Sequence, residues 1–459
     1  MLGGVVGRCQ PPWGTGVDRV GEIRRGGWAL PLGAALVLVL IAGCFSPAAP
    51  EPRGQRSAGR SPRAMSPEQV VTVSWSFWGS AWEKAITRRV VQAFEAEHPS
   101  IHVELIHKPW EEYFTWLAEE WAAGRSPDVM FINYVPMRAA SGMLANLEPW
   151  LARDRVDLAD FYPALLDLFR YQGALYGLPR DNDTKVIYYN RRAFDAAGLP
   201  YPDSDWTWAD LRRLAAALTL RDDRGEVVRY GFGFEPYWWR LWVWQNGGDL
   251  FDDPLHPTRS RLDEPAVAEA LEFLATLMYE DRSTPPIELL QTDSLNQLFR
   301  EGRLAMVFGG HGKVPVFADT SDLDWDVVGL PRGKVAANVL GGAGYAMSRI
   351  SAQPEAAWQL LKFLAGPKGQ ALFAESGLIT PARRSVREDH IFLHRQPYNS
   401  QVFLEETTHG QPNLQARRAD ELNAVLEAAL RPFWRGEQSA AEALAAARPA
   451  IEDILAEER

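Results

Sequence analysis

The sequence is poor in cysteine, since Cys9 and Cys44 are the only two among 459 residues. Two cysteines cannot make a disulfide scaffold or a zinc site with several cysteine ligands. Positive charge is also scarce: 48 Lys and Arg face 59 Asp and Glu, which gives a net charge of −11. This balance argues against a nucleic-acid partner held by bulk positive charge. We therefore expect neither a disulfide-rich fold nor nucleic-acid binding.

Motifs of common enzyme classes are missing as well. The sequence has no HExxH metalloprotease motif and no GxSxG nucleophile elbow, and Gly310–Val314 lacks the Ser or Thr of a phosphate-binding P-loop. Asp181, Asp183 or Glu235 are candidates for a glycosidase acid/base pair, but nothing in the sequence sets their separation. We expect no catalytic residues, no metal and no cofactor, and a surface glycosidase stays the alternative from another functional class.

One apolar run, Trp28 to Gly43, is about 16 residues long and so falls short of the ~20 that a membrane span needs. Arg24 and Arg25 precede it and small residues end it, which is typical of a secretory signal. Its last residues, Ile41–Cys44, resemble the bacterial lipobox, in which the cysteine is lipidated and becomes the first mature residue. We expect residues 1–43 to be a lipoprotein signal peptide and Cys44 to be lipidated. An ordinary signal or anchor with an incidental cysteine is the alternative, and the start codon and the export route stay open.

Residues 44–66 are rich in Pro, Ala, Ser, Gly and Arg and have almost nothing to bury. This composition predicts a disordered tether with a typical reach of about 25–28 Å. From residue 67 onward, 40 basic and 56 acidic side chains give a net charge of −16. The acidity of the chain therefore belongs to its predicted globular body.

Strand and helix patterns alternate along that body. Val70–Trp78, Ile101–Ile106 and Asp128–Ile132 are β-rich, and helical spacing of apolar residues separates them over Trp82–Glu97 and Tyr113–Ala123. A β-α-β-α-β order predicts a parallel sheet covered by helices, and such sheets bind ligands at the carboxyl ends of their strands. The same alternation returns downstream of residue 185.

A series of short motifs adds a family resemblance. In chain order they are Phe94–Pro99, Gly124–Val129, Tyr176–Pro179, Tyr188–Asn190, Ala197–Pro200, Trp206–Trp208, Phe299–Met306, Gly341–Gly342 and Thr380–Arg383. Each is weak alone, but in this order and spacing the chain resembles the family 1 extracellular solute-binding proteins of ABC importers, the group that includes maltose-binding protein. The resemblance covers about residues 71–384, and the region beyond Ser385 matches loosely.

The resemblance implies an α/β fold of the two-lobed periplasmic-binding-protein type II, with a ligand cleft between the lobes and several chain crossings. It places the first lobe at 68–184 and 308–343, and the second at 185–307 and 344–459. The crossings would lie near Thr184–Lys185, Met306–Phe308 and Gly342–Ala343, and ligand binding would close the lobes by a hinge motion.

The implied function is that of a monomeric, lipid-anchored protein on the outer face of the bacterial cytoplasmic membrane. It would capture a sugar, either a di- or oligosaccharide or a related polyol, and deliver it to the permease subunits of an ABC importer. Other solutes stay open within the class, namely a glycerol phosphodiester, a polyamine or a peptide.

Aromatic residues are the first candidates for the site, because a sugar ring offers an apolar face for stacking and hydroxyl groups at its edge. Trp78 and Trp82 follow the first predicted strand, and Trp110 and Glu111 follow the second. Four tryptophans fall within Glu235–Trp244, and Trp238, Trp239 and Trp242 are the stacking candidates among them. Packing inside the protein is the competing interpretation for each of them.

Polar and small residues complete the candidate site. Asp183 lies in the first predicted crossing and is suited to hydroxyl recognition. Glycines in Gly341–Tyr345 would let the backbone approach a ligand, which makes Gly342, Ala343 and Tyr345 candidates. The family resemblance adds four positions: Asp128, Gly310, His311 and Arg383. Structural roles in turns and surface ion pairs are the alternative for these residues.

Overall fold

The computed structural model describes residues 70–254, 256–291, 293–388, 397–416 and 418–457. The side chains of Glu111, Gln291, Arg387 and Glu388 are not among those described. The predicted signal peptide, Cys44 and the tether all lie outside the described residues.

The strands of the described chain follow in order. They are β1 (Val71–Trp78), β2 (Ile101–Lys108), β3 (Val129–Ile132), β4 (Arg170–Tyr171), β5 (Ala174–Leu175), β6 (Gly177–Pro179), β7 (Asp181–Asn182), β8 (Lys185–Asn190), β9 (Leu220–Arg221), β10 (Val227–Gly233), β11 (Leu304–Gly310), β12 (Trp325–Val328), β13 (Asn338–Leu340), β14 (Gly344–Met347), β15 (Thr380–Pro381) and β16 (Gly410–Pro412).

The α-helices are numbered in the same way. They are α1 (Ala81–Glu97), α2 (Trp110–Ala122), α3 (Val135–Ala140), α4 (Glu148–Asp154), α5 (Pro163–Asp167), α6 (Arg191–Ala197), α7 (Trp208–Leu218), α8 (Trp239–Gln245), α9 (Pro265–Ala275), α10 (Leu295–Arg300), α11 (Val314–Ala318), α12 (Pro354–Leu364), α13 (Pro367–Glu375), α14 (Arg384–Glu388), α15 (Val402–Glu405), α16 (Ala419–Phe433) and α17 (Ala440–Glu457). Short 3-10 turns lie at Pro236–Trp238, Leu289–Gln291, His311–Lys313 and Glu406–His409, and a π-helical turn at Thr276–Glu280 extends α9.

The first lobe is built on a five-stranded sheet in the order β2-β1-β3-β14-β6. Strands β1, β2 and β3 are parallel, as their alternation with helices predicted, whereas β14 runs antiparallel to both β3 and β6. Alternate residues of β1, Val73, Trp75 and Phe77, are buried in the core. On α1, the apolar residues spaced at three and four positions are also buried, so this helix covers one face of the sheet.

The second lobe is built on another five-stranded sheet, in the order β12-β8-β11-β10-β9. Strand β11 is parallel to β10 and antiparallel to β8, and β12 is antiparallel to β8. The two C-terminal helices α16 and α17 pack into the core of this lobe through leucines and alanines such as Leu426 and Ala443. The alanine-rich C-terminus therefore belongs to the second lobe.

The lobe boundaries expected from the family resemblance are wrong for two segments. Segment 308–343 was assigned to the first lobe, but β11 and β12 pair with β8 in the second sheet. Segment 344–459 was assigned wholly to the second lobe, but β14 lies in the first sheet, and Trp358 and Leu361 of α12 are buried in the first core. No crossing falls at Met306–Phe308, because these residues lie inside β11 between β8 and β10.

The described residues show three passages of the chain between the lobes. It leaves the first sheet after β6 and enters the second at β8, and it returns between β13 and β14. The third passage lies between α14 and α15, since Val386 is buried in the first core and Val402 in the second. Short strand pairs support these passages: β7 pairs with β15, and β13 with β16. Among the described residues, no helix combines the length and the apolar character needed to cross a membrane.

Candidate ligand-binding cleft

The carboxyl edge of the first sheet carries a cluster of aromatic rings. Trp78 ends β1 and stacks on Phe131 with ring centroids 4.3 Å apart. Trp110 begins α2 directly after β2 and meets Trp78 edge to face at 5.1 Å. Trp110 is 47% exposed and Trp82, in the first turn of α1, is 50% exposed. Trp78 thus supports Trp110 from behind, and Trp110 offers an accessible ring at this edge.

The carboxyl edge of the second sheet carries its own aromatic pair. Strand β10 ends at Gly233, and the 3-10 turn after it presents Tyr237, which is 51% exposed, and the partly buried Trp238. The rings of Tyr237 and Trp238 meet edge to face at 5.1 Å. The Nζ of Lys185 lies 4.1 Å from the Trp238 ring centroid and fixes the ring by a cation–π contact.

Charged groups surround Trp238. The Nζ of Lys185 donates to Asp183 at 2.5 Å, and the Asp183 side chain is 44% exposed. A second lysine, Lys313, donates to Glu235 at 2.9 Å and to Asn296 at 2.8 Å. These pairs place carboxylate and ammonium groups beside the ring, where they can bind hydroxyl groups at the edge of a stacked ligand.

Gly310 makes room for the Asp183–Lys185 pair. A Cβ at Gly310 would lie 2.0 Å from the Asp183 Oδ1 and 3.0 Å from the Lys185 Nζ. Any side chain at this position would therefore displace the ion pair. The structure assigns Gly310 a packing role beside the candidate site.

The two carboxyl edges face each other. Tyr134, on the loop after β3, interacts through its phenol with Tyr237 of the second lobe, and both residues line the same cavity. Burial is the main cause of the raised pKa of Tyr134. A cavity of about 60 Å³ lies behind this contact. Its walls come mainly from the second lobe, from the segment around Trp238, from α8 and from α16, and Tyr134 of the first lobe closes it on one side.

The first crossing rests on a buried ion-pair network. The Arg180 guanidinium contacts Glu83 at 2.5 Å and Asp181 at 2.7 Å. Burial by itself would lower the pKa of Arg180, but the two carboxylates outweigh it and raise that pKa. The Asp181 Oδ1 also accepts from the Ala343 backbone N–H at 2.8 Å. The two strands that connect the lobes here are therefore held together.

Gly342 and Ala343 belong to this hinge. Gly342 has φ +148°, and a Cβ there would lie 2.4 Å from the Asp181 carbonyl oxygen. Only glycine adopts this conformation at this spacing without strain. Ala343 is 8% exposed and bonds through its backbone to Arg180 and Asp181. Both residues thus position the crossing through contacts with Arg180 and Asp181.

Three aromatic candidates lie in the lobe cores, against expectation. Trp239 is 6% exposed and Trp242 is 0% exposed, both within the second core. They belong to α8, which turns inward directly after the 3-10 turn that carries Trp238. Tyr345 is fully buried in β14 and meets Trp75 edge to face at 5.8 Å. We do not keep these three in the candidate site.

Two charged candidates have structural partners instead. Asp128 precedes β3 and so lies at the amino end of that strand, opposite the carboxyl edge. Its carboxylate accepts from Ser74 at 2.7 Å and from Ser351 at 2.5 Å. Arg383 is 5% exposed and pairs with Asp160 at 2.9 Å inside the first lobe. Both expectations of ligand contact are corrected on this evidence.

His311 is buried at the third passage, and its ring meets Phe403 edge to face at 4.8 Å. Burial lowers the pKa of His311 to about 4, although a hydrogen bond with the Leu378 backbone acts in the opposite direction. The imidazole is therefore neutral at physiological pH. Glu111, the remaining candidate, has a side chain outside those described.

Several cleft residues were not among the sequence candidates. They are Tyr134, Arg138, Lys185, Tyr237, Arg240 and Lys313. Tyr134 lies in the loop after β3 and Tyr237 in the turn after β10, so the rule that ligands bind at the carboxyl ends of strands would have found both. Arg138 and Arg240 carried no such signal, because helix positions near a cleft depend on how the lobes meet.

A model of the bacterial extracellular solute-binding proteins matches residues 79–371, which is more than half of the chain. The chain belongs to this family. The resemblance noted from the short motifs is thereby confirmed, and with it the expected two-lobed α/β fold with a ligand cleft between the lobes.

Individual relatives of this solute-binding protein bind different ligands. The galactooligosaccharide-binding protein of Bacillus subtilis is 23% identical over 369 residues, which cover 77% of this chain and 83% of the relative. An ABC substrate-binding protein of Listeria monocytogenes, solved with cycloalternan, superposes with a TM-score of 0.78 at 23% identity, over 84% of this chain and 100% of that chain. UgpB of Mycobacterium tuberculosis, solved with glycerophosphocholine, has a TM-score of 0.72 at 21% identity, over 83% and 98%.

Proposed function

We propose that this solute-binding protein captures a di- or oligosaccharide, or a related polyol, and delivers it to the permease of an ABC importer. The observation that carries the proposal is the pair of aromatic edges, Trp110 on one lobe and Trp238 with Tyr237 on the other. The rings lie at facing carboxyl edges, and the paired charges of Asp183, Lys185 and Glu235 lie beside Trp238. Aromatic faces with polar groups at their rim suit a sugar, whose rings are apolar on the face and polar at the edge.

The comparisons support the same substrate class. The Bacillus relative is a galactooligosaccharide-binding protein, and the Listeria structure holds cycloalternan. The Mycobacterium structure holds glycerophosphocholine, so the fold alone does not select the ligand. The aromatic edges of this chain are the feature that favours a sugar over the other solutes of the class.

In the proposed function, the protein binds its ligand as a monomer, without a cofactor and without chemical turnover. The cycle consists of capture, closure of the lobes about the three passages, docking on the permease subunits and release. The buried network around Arg180 holds two of the passage strands together during such a motion.

We further propose that lipidation of Cys44 anchors the protein to the outer face of the bacterial cytoplasmic membrane. The support is the sequence Ile41–Cys44 after an apolar run of about 16 residues. Cys44→Ser should release the protein into the medium or the salt wash, whereas the wild type stays with the membrane fraction. Retention of the variant at the membrane would contradict the lipid anchor.

A thermal-shift screen with a sugar panel tests the ligand class. The full chain, purified in detergent, is heated with mono-, di- and oligosaccharides, polyols and sugar acids. A ligand at 100 times its dissociation constant should add about 2.7 kcal/mol to the free energy of unfolding. Product analysis of the same mixtures serves as the control for turnover. Cleavage of any sugar, or the absence of a shift with the whole panel, would overturn the proposal.

A further inference from the structure

Buried arginines occur in two kinds of surroundings in this protein. Arg180 and Arg383 are 6% and 5% exposed, and carboxylates contact their guanidinium groups at 2.5 to 2.9 Å. Arg138 is 8% exposed, and Arg240 is partly buried, with its Nε atom fully enclosed. No described carboxylate forms an ion pair with either of these two. A buried charge without a partner is costly, so the second kind calls for an explanation.

Arg138 lies on α3, directly after the carboxyl end of β3. Its guanidinium packs over the Phe114 ring, 4.3 Å from the centroid, and its Nε has no hydrogen-bond partner among the described residues. The carboxylate that acts on it is the exposed Asp420, which lies beyond ion-pair distance. Burial lowers the pKa of Arg138 to about 10, so the group still carries its charge at physiological pH.

Arg240 approaches from the other lobe, on α8. Its Nη2 donates to Asn423 of α16 at 3.1 Å, whereas its Nε is buried and has no partner among the described residues. Arg240 lines the cavity between the lobes together with Trp244, which is 3% exposed. The indole Nε1 of Trp244 is likewise without a described partner. Two residues that line the cavity therefore each have a buried N–H donor without a described acceptor.

Both arginines neighbour the same tyrosine. Arg138 lies one helical turn after Tyr134 and its backbone N–H donates to the Tyr134 carbonyl at 3.4 Å, whereas Arg240 of the opposite lobe lines the cavity together with Tyr134. One arginine from each lobe is thus placed near this corner of the cleft. Around the cavity, Arg431 adds a further positive charge and Glu427 a negative one, so the lining has more positive than negative charge. An anion bound here would meet both lobes and would stabilise the closed state.

We propose that the ligand carries an anionic group, a carboxylate or a phosphate ester on a sugar, and that Arg138 and Arg240 bind this group beside Tyr134. The inference rests on the proposed sugar-binding function and narrows its substrate class. A planar guanidinium pairs with carboxylate or phosphate oxygens through two parallel N–H bonds, which gives both strength and direction. The aromatic edges then hold the sugar ring while the two arginines select the charged substituent.

Matched ligand pairs test this proposal by calorimetry on the full chain in detergent. The probes are trehalose with trehalose 6-phosphate, and galactobiose with digalacturonate, together with any sugar from the thermal-shift panel and its acid or phosphate. The anionic member of at least one pair should bind at least tenfold more tightly than its neutral partner. A preference within the trehalose pair would indicate a phosphate ester on the ligand, and a preference within the galactobiose pair would indicate a carboxylate.

Arginine variants connect the preference to the site. R240Q and R138Q should each weaken binding of the anionic member by about 10- to 100-fold, and that of the neutral member by less than threefold. R88Q, the same change at an exposed position on α1, is the matched control and should alter neither. R240K and R138K keep the positive charge but lose the planar guanidinium that makes two parallel N–H bonds, and should lose affinity by an intermediate factor. These lysine variants replace the glutamine variants if those fail to fold.

Unfolding of the ligand-free variants gives an independent measurement. Removal of an unpaired buried charge should leave the melting temperature of R240Q at or above that of the wild type, whereas R180Q should melt at a lower temperature. Preferential binding of neutral sugars, or equal losses for both members of a pair in R240Q, would overturn this inference and leave the proposed function standing. No binding by any member of the whole panel would overturn both.

Discussion

At the carboxyl edge of the first sheet, Trp82 and Trp110 are about half exposed, whereas in the second lobe Trp239, Trp242 and Trp244 are all buried. The first two follow strand ends at a sheet edge. The other three belong to α8, which leaves the edge after Trp238 and enters the core. Local position relative to a strand end, and not the density of tryptophan, therefore decides which rings can meet a ligand.

Trp238 is the boundary between these two regions. It lies in the 3-10 turn at the strand end and is partly buried, and Lys185 holds its ring from one side. Its neighbour Trp239 is already part of the core. One step along the chain thus separates a candidate binding residue from a structural one.

The largest expected effect comes from the buried region. Trp242→Ala removes a fully buried side chain from the second core and should lower the free energy of unfolding by about 3–5 kcal/mol. Urea unfolding followed by circular dichroism measures this loss. Trp242→Phe is the control and should cost clearly less, because it retains a ring. A loss below about 1 kcal/mol would show that the buried and exposed regions do not differ as described.

His311, a sequence candidate for the site that is buried in the structure, should lower the free energy of unfolding at acidic pH. Its pKa is about 4 in the folded protein and about 6.5 when unfolded, so below pH 6.5 the unfolded state binds the extra proton. This contribution lowers stability progressively from pH 6.5 down to pH 4, by roughly 3 kcal/mol in all. His311→Asn should weaken the pH dependence of urea unfolding in this range. An unchanged profile would mean that His311 is accessible to protons when folded.

Substitutions of the tryptophans at the cleft edges, Trp110 and Trp238, should affect sugar binding more than the free energy of unfolding. Trp110→Ala and Trp238→Ala should each weaken sugar binding by about 1–3 kcal/mol, since each removes an aromatic ring from a cleft edge. Tryptophan fluorescence titration measures the affinity, and Trp→Phe variants at the same positions should retain more of it. Unchanged affinity in both alanine variants would remove both rings from the site.

The smallest effect is expected for Trp82, which is the most exposed tryptophan of the described chain. Trp82→Ala should change the free energy of unfolding by less than about 0.5 kcal/mol, as is usual for surface positions. The same titration should show a smaller loss of affinity than in Trp110→Ala. A loss as large as that of Trp110→Ala would place Trp82 in the site beside it.

Much of the architecture was predictable from local patterns. The structure confirms the strands at Val70–Trp78 and Ile101–Ile106, the helix between them and the alanine-rich C-terminal helices. Hydrophobic periodicity reports these elements because each buries one face. The division into lobes failed after residue 308, because which sheet a strand joins depends on partners far away in sequence. Strand β14 pairs with β3, more than 200 residues earlier.

The candidate site was predictable only in part. Positions such as Trp110 and Trp238 follow from the rule that ligands bind at carboxyl ends of strands. Asp128 and Arg383 look equally suitable in the sequence, yet Ser74 and Asp160 engage them. A carboxylate or a guanidinium has the same chemistry in either role, and only the nearest partner decides between them.

The family, the order of strands and helices, and the concentration of acidic charge after residue 66 follow from the amino-acid sequence alone. These properties depend on composition and on contacts close along the chain. Which tryptophans are exposed, where the third passage between the lobes lies, and which arginines have carboxylate partners all depend on the tertiary fold. Arg138 and Arg240 both neighbour Tyr134 because two lobes bring together residues about 100 positions apart, and no local pattern encodes that distance.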